Sequence, residues 1–216
     1  MSTTSTQGSA PSIAPGCLIV VAAPSGAGKT TLVRMLAAAD PKVRLSVSYT
    51  TRDPRPGEVD GEHYRFVDRA CFEGLIADQA LVEHALVHGN HYGTSRLDLQ
   101  HAIDAGFDVI LEIDWQGARQ VRAQWPEAIS IFVLPPSPRT LIERLHRRGQ
   151  DSAEVIARRL ANARAEIEHH DEFDYLIVND DLDQAFVALT AVVTAQRQRC
   201  ARQRVEHARL IEQLLD

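Results

Sequence analysis

The chain has 216 residues, of which 44% are hydrophobic and 24% charged, and its formal net charge is −6. This length suits one domain with small inserted lobes and a sizeable core. The acidic balance argues against a general nucleic-acid or membrane-surface binder, and no apolar stretch is long enough to span a bilayer.

Residues 1–16 are rich in Ser, Thr, Pro and Gly and lack a basic start followed by an apolar core. They read as a disordered tail and not as a signal peptide. Cys17, Cys71 and Cys200 are odd in number and far apart, which reads as free thiols in a reducing compartment, the cytoplasm. The histidines include no HExxH pair, and His169-His170 reads as a polar helix end.

The first predicted strand, 17–22, runs into Ala23-Pro24-Ser25-Gly26-Ala27-Gly28-Lys29-Thr30, followed by a helix over 29–39. A strand, a glycine-rich turn, Lys and Thr, then a helix is the context of a phosphate-binding loop. Its glycines let several N–H groups converge on one anion, and the helix N-terminus adds partial positive charge. Lys29 can reach the outer phosphates and Thr30 can ligate Mg²⁺. Only Lys29 and Lys42 are lysines among 23 basic residues. A compact ammonium is thus kept where a guanidinium would overfill the cradle. The strict pattern begins with Gly where this chain has Ala23, which predicts a backbone angle there that alanine also tolerates.

Further core strands are expected over 45–49, 107–113, 129–134 and 174–178, their continuous apolar character suiting a sheet covered on both faces. Helices are expected over 95–105, 115–124, 138–148, 152–169 and 182–214. Ser137-Pro138 starts one helix and Asp151 with Glu154 resembles a capping box for the next. The alternation predicts a parallel α/β sheet.

Residues 50–94 interrupt it. The loop Thr50–Gly57 is followed by strand-like pieces at 63–67, 81–87 and 90–94, with a helix over 69–77. The last two pieces join around His88-Gly89-Asn90. This reads as a small, partly antiparallel lobe, and helices 138–169 as a second lobe. Arg52 and Arg55 in the stiffened loop suit a phosphate, or else pair with Asp53 or Glu58. Tyr64 and Tyr92 can add phenolic donors. Glu83 on its own reads as a strand carboxylate facing water. Seven arginines lie between Arg139 and Arg164. Most read as a solvated face with partners such as Glu143, Glu154 and Glu166.

The segment Ser46–Gly61 with Tyr64 and Phe66 resembles the GMP-binding lobe of guanylate kinases. The resemblance continues through Glu83, Gly89–Thr94, Ile113–Gly117 and Ile177–Asp181, covering roughly residues 17–200. It implies an α/β fold, a parallel-sheet P-loop NTPase core with an inserted GMP-binding lobe (about 47–95) and a helical lid (about 138–169). The domain would span 17–201, leaving 202–216 as a helix end. The implied reaction moves the γ-phosphoryl group of ATP to GMP, giving ADP and GDP.

By the same resemblance, Arg52, Arg55, Tyr64 and Tyr92 hold the GMP phosphate. Glu83, with Asp114 nearby, faces the guanine N1–H and 2-amino group, while Ser48 and Thr94 face O6. Residues 23–30 and Asn179 contact ATP, although Asn179 equally fits a turn or cap. Arg148 and Arg159 are the lid arginines, the other five reading as surface. Thr30 and Glu112 hold Mg²⁺, the latter through water. A kinase of a ribose bisphosphate and a non-catalytic interaction module are the alternatives. The apolar residues of the last helix, Val192, Val193, Leu210, Ile211, Leu214 and Leu215, pack on the core or on a second subunit, so a monomer and a homodimer both stay open.

Overall fold

The computed structural model describes residues 14–87, 89–146 and 153–216. The chain begins with β1 (Leu18–Ala22), α1 (Lys29–Ala39), β2 (Val43–Leu45) and β3 (Tyr49–Thr50). Next come β4 (Arg65–Phe66), α2 (Arg69–Ala77), β5 (Leu81–Val87), β6 (Asn90–Ser95) and α3 (Arg96–Asp104). Then follow β7 (Asp108–Glu112), α4 (Trp115–Gln124), β8 (Ile129–Leu134), α5 (Pro138–His146) and α6 (Ala153–Ile167). After a 3-10 turn, the described chain ends with β9 (Tyr175–Val178), α7 (Leu182–Arg197), α8 (Cys200–Glu206) and α9 (Ala208–Leu215).

Two sheets result. The larger has the order β2-β7-β1-β8-β9 and every pairing in it is parallel. All five residues of β1 are buried because helices cover both faces of the strand. Alternate side chains of a strand point to opposite faces. Ile19 and Val21 accordingly pack with Leu32, Val33 and Leu36 of α1 and with Leu189 and Val193 of α7. Leu18 and Val20 pack with Leu99 and Ile103 of α3 and Val121 of α4. The smaller sheet, β4-β3-β6-β5, is mixed, β3 pairing parallel to β4 and antiparallel to β6. This is the expected inserted lobe, although His88 of its hairpin lies outside the described residues, as do Arg148 and Asp151.

Two expectations are corrected. The strand expected over 45–49 is two strands in different sheets. β2 ends at Leu45, Ser46 N–H still donates to Ile110 C=O at 2.9 Å, and the chain enters the second sheet at Tyr49. Alternating residues suit a pleat but do not say which strand they pair with. The helix expected over 182–214 breaks twice. The first break follows Arg197, with Arg199 at φ −59 and ψ 135, and the second lies at His207.

The first break has an electrostatic cause. Arg197 and Arg202 both reach the fully buried Asp108, each at 2.6 Å, and Arg197 also bonds Asp40 at 2.6 Å. On one continuous helix, side chains five residues apart point about 140° away from each other. Bending the chain brings both to one carboxylate. Cys17 N–H and Sγ complete the cluster at 3.0 and 3.2 Å from Asp108 Oδ1. Although burial opposes it, the paired arginines and Cys17 hold the Asp108 carboxyl below its ordinary range. Its contribution is therefore present above the unfolded-state pKa near 4 and lost as pH falls through the depressed value. Asp108→Asn is expected to cost about 3 kcal/mol in thermal or urea unfolding at neutral pH, because it leaves two guanidiniums short of their counter-charge. A loss within about 0.5 kcal/mol, as at an ordinary surface site, would remove this account of the helix break.

The apolar residues of the last helical region divide. Val193 is buried and Val192 packs on the core, whereas Leu210, Ile211, Leu214 and Leu215 of α9 are exposed.

Candidate active site

The candidate phosphate loop leaves the C-terminal end of β1, where a parallel sheet presents ligand chemistry. Gly26 and Gly28 both adopt φ +93, the left-handed region that favours glycine. Ala23 does not, since Gln79 alone among the described non-glycine residues has a positive φ. The backbone expected at Ala23 is thus the one observed. At Gly28 a Cβ would also fall 2.3 Å from Asn179 Nδ2.

That crowding reflects a brace beneath the loop. The buried Asn179 donates from Nδ2 to Ala27 C=O at 2.7 Å. Arg144 of α5 donates to Ala27 C=O at 3.3 Å and to Asn179 C=O at 3.1 Å. This brace is a role that the turn-or-cap reading of Asn179 did not include, since Asp181 caps α7. Arg144 corrects the expectation of a surface residue. The face of α5 bearing Leu141 and Leu145 rests against Gly26 and turns this arginine inward, a contact that a charge run does not reveal. Arg139, paired with Glu143 at 3.0 Å in an exposed i,i+4 contact, is the surface residue expected.

Register brings the other donor-side groups together. Val21 of β1 pairs with Glu112 of β7, so the loop and the Glu112–Asp114 segment leave adjacent strands. Lys29 Nζ donates to Ile113 C=O at 3.0 Å. The residue is only half-buried, yet enclosure of its ammonium lowers its pKa, opposed by Glu112, Asp114 and Glu166. The Thr30 hydroxyl donates to Glu112 Oε1. Glu166 was expected only as a surface partner. It reaches the loop from α6, its Oε2 accepting from Ser25 N–H at 3.2 Å. Burial raises its pKa, countered by the Ser25 N–H and Lys29. Arg159 lies partly buried on the same helix.

The inserted lobe supplies a second cluster. Glu83 on β5 is only 4% exposed, so it does not face water. Thr94 Oγ1 donates to Glu83 Oε1 at 2.7 Å, and Ser48 Oγ lies 3.3 Å from Thr94 Oγ1. Burial pushes the Glu83 pKa up to about 7, with the Thr94 bond opposing and the Asp114 charge adding. Asp114 itself caps α4, accepting from Gly117 N–H at 2.8 Å. A Cβ on Gly117 would lie 3.2 Å from Glu83 Oε2.

Two glutamines missed by the sequence reading hold this strand. Gln120 exchanges a pair of bonds with the His84 backbone, both 3.0 Å, and Gln124 donates to Val82 C=O at 2.9 Å. Glu83 is thereby fixed between two anchored neighbours. The only signal in the sequence is that positions 120 and 124 share one face of α4.

Arg52 is clamped by Glu58, with Nη2 at 2.8 and 2.9 Å from the two carboxylate oxygens. Its guanidinium lies 5.4 Å from the Tyr64 ring centroid, and Tyr64 meets Tyr92 edge-on at 5.9 Å. Arg55 is exposed, and its backbone N–H rather than its side chain bonds Glu58 at 2.7 Å. The structure thus gathers Arg52, Tyr64 and Tyr92, and separately Ser48, Glu83, Thr94 and Asp114.

A sequence model of the guanylate kinase family matches residues 16–196. The guanylate kinase of Alkalilimnicola ehrlichii is 56% identical over 201 residues, covering 93% of this chain and 99% of that protein. The guanylate kinase of Dechloromonas aromatica is 56% identical over 200 residues, with coverage of 93% and 99%. The crystal structure of guanylate kinase from Anaplasma phagocytophilum superposes with a TM-score of 0.70 at 35% identity, covering 88% of this chain and 90% of that one.

Proposed function

Because the chain belongs to the guanylate kinase family and is an ATP:GMP phosphotransferase, we propose that its phosphate loop seats ATP and its inserted lobe seats GMP. The observation that carries the acceptor half is the buried Glu83–Thr94–Ser48 cluster. An ionised carboxylate only accepts hydrogen bonds, which suits the N1–H and 2-amino donors of guanine and opposes the bare N1 of adenine. Hydroxyls at Ser48 and Thr94 can turn a proton toward O6.

In the transfer, an oxygen of the GMP phosphate forms a bond to the γ-phosphorus of ATP while the bond to the β–γ bridging oxygen breaks, leaving ADP. The nucleophile is already anionic near neutral pH, so no general base is required. Alignment and charge neutralisation carry the rate. The loop amides of residues 23–30 hold the donor phosphates, Lys29 meets the transferring charge, and Asn179 sits under the loop toward the adenine side. Arg52 and Arg55, with Tyr64 and Tyr92, fix the acceptor phosphate. Arg148, outside the described residues, and Arg159 of α6 close over the transferring group.

Family members use ATP, generally with Mg²⁺, and the oxygen pair of Thr30 and Glu112 in mutual contact fits a hard cation. When bound, Mg²⁺ would neutralise charge on the ATP phosphates. No helix among the described residues is long and apolar enough to cross a membrane. The free Cys17, Cys71 and Cys200 fit a cytoplasmic setting. The apolar residues of α9 are exposed, and a monomer or a homodimer fits them.

Rates with GMP, dGMP, AMP, CMP, UMP and ribose bisphosphate, each with Mg-ATP, test the assignment. Selective turnover of the guanine nucleotides is expected. Comparable rates with AMP or the base-free bisphosphate would overturn it, and no turnover at all would favour an interaction module. The clamp on Arg52 adds a second test. Arg52→Ala is expected to raise KM for GMP about 10- to 100-fold, the worth of one charged hydrogen-bonding group, with KM for ATP nearly unchanged. Initial rates with each substrate varied separate the two, and equal changes would take Arg52 away from the acceptor.

A further inference from the structure

Glu166 is a carboxylate at the mouth of an anion cradle. It projects from α6 and accepts from the Ser25 N–H of the phosphate loop at 3.2 Å. Its charge also acts on Lys29, the one cation that the loop itself carries. A backbone amide of the loop that bonds an oxyanion, with an ammonium close enough to feel its charge, is the setting that a polyphosphate would meet. The acceptor lobe has a parallel, since both oxygens of Glu58 accept from Arg52 Nη2.

A carboxylate in contact with the loop and a polyphosphate in the same loop repel each other strongly at this range. One must leave, or the carboxyl must take up a proton. We infer that Glu166 is a displaceable internal anion, which holds α6 on the phosphate loop and is expelled when ATP binds. The inference rests on the assignment of ATP to that loop. It makes Glu166 a positioning residue, because it acts on the reaction through the placement of α6.

The same helix shows why expulsion would be useful. Arg159 precedes Glu166 by seven residues, which returns to nearly the same face of an α-helix after about two turns. An incoming polyphosphate repels the carboxylate and attracts the guanidinium of that one face. Both forces shift α6 in the sense that exchanges the first for the second. ATP binding would thus be coupled to lid position through one helix bearing opposite charges.

Removing a bound competitor tightens the ligand that it competes with. Glu166→Gln keeps an acceptor for Ser25 N–H at the same length and deletes only the charge. Calorimetry on the whole chain without GMP, using Mg-ATP and separately inorganic tripolyphosphate, is expected to give about three- to tenfold tighter binding of both by this variant. Glu166→Ala should move the same way. Glu143→Gln, which deletes an exposed carboxylate on α5, controls for net charge and should leave both affinities unchanged. Unchanged or weaker binding by Glu166→Gln, as for a carboxylate that only braces the loop, would overturn the inference. An equal gain in Glu143→Gln would do the same. If the unsubstituted chain bound neither probe, the assignment of ATP to the loop would fall, and the inference with it.

Discussion

Lys29→Ala is expected to lower kcat by roughly 10²–10³-fold with the fold retained, the usual loss when one preorganised donor to a developing charge is deleted. The Lys29 ammonium has a fixed partner. It is held at 3.0 Å from Ile113 C=O, in an environment that lowers its pKa by burial. That environment makes its charge count for more than it would in water. Lys29 opens α1, and alanine is the best helix former, so local structure should be kept. Steady-state rates together with a melting curve test both halves. A kcat within a few-fold of the unsubstituted value in a folded protein would remove Lys29 from the chemistry. A collapsed melting curve would show that it mainly holds β7 and the loop together.

The second large effect is at Glu83. Glu83→Gln is expected to weaken GMP roughly 100-fold while leaving ATP nearly unchanged. It replaces one carboxylate oxygen by an amide that points a donor at the donors of guanine. Equal losses for the two nucleotides would put Glu83 elsewhere.

The pKa of about 7 adds a pH signature. In the proposed contact the ionised form accepts from guanine, so GMP affinity should fall as pH drops below about 7, by up to about tenfold per unit. Binding should then release a proton near pH 6–7, visible as buffer-dependent heat, and Glu83→Gln should abolish both effects. Stability runs the other way. The carboxyl is raised from an ordinary value near 4.5, so its contribution is full below that value and is lost as pH rises through about 7. At pH 8 the penalty is on the order of 3 kcal/mol by linkage, and Glu83→Gln should recover part of it. A variant that binds GMP poorly yet melts a few degrees higher is the expected pairing of lost function with gained stability.

Much of this was legible in the sequence, for identifiable reasons. The parallel core was readable because strands buried on both faces are nearly continuous apolar runs, and β8 has the bounds that its pattern predicts. The strand, glycine turn and helix around Lys29 were readable because they are contiguous in the chain. The supports of the loop were not. Arg144, Asn179 and Glu166 come from three different elements, and each meets the loop through backbone atoms that have no residue-type signature. Glu83 read as a water-facing carboxylate because strand alternation shows a side chain's face and not what covers that face. Here Gly117 and the cap at Asp114 cover it. Arg52 shows a third kind of limit. Its pairing with Glu58 is the contact observed, and the residue types alone do not separate that partner from a phosphate, because both offer oxygens to the same guanidinium.

The Asp108 cluster has a consequence for how the domain is held closed. Cys17 stands at the entry to β1 and Arg202 lies 185 positions later, yet both meet on one carboxylate. That carboxylate therefore behaves as a non-covalent staple across nearly the whole polypeptide. Loop-closure entropy grows only slowly with length, so so long a circuit costs little more to close than a short one. Mechanically, the domain is a ring fastened at one acidic clasp, with the catalytic cleft at the opposite ends of the same strands.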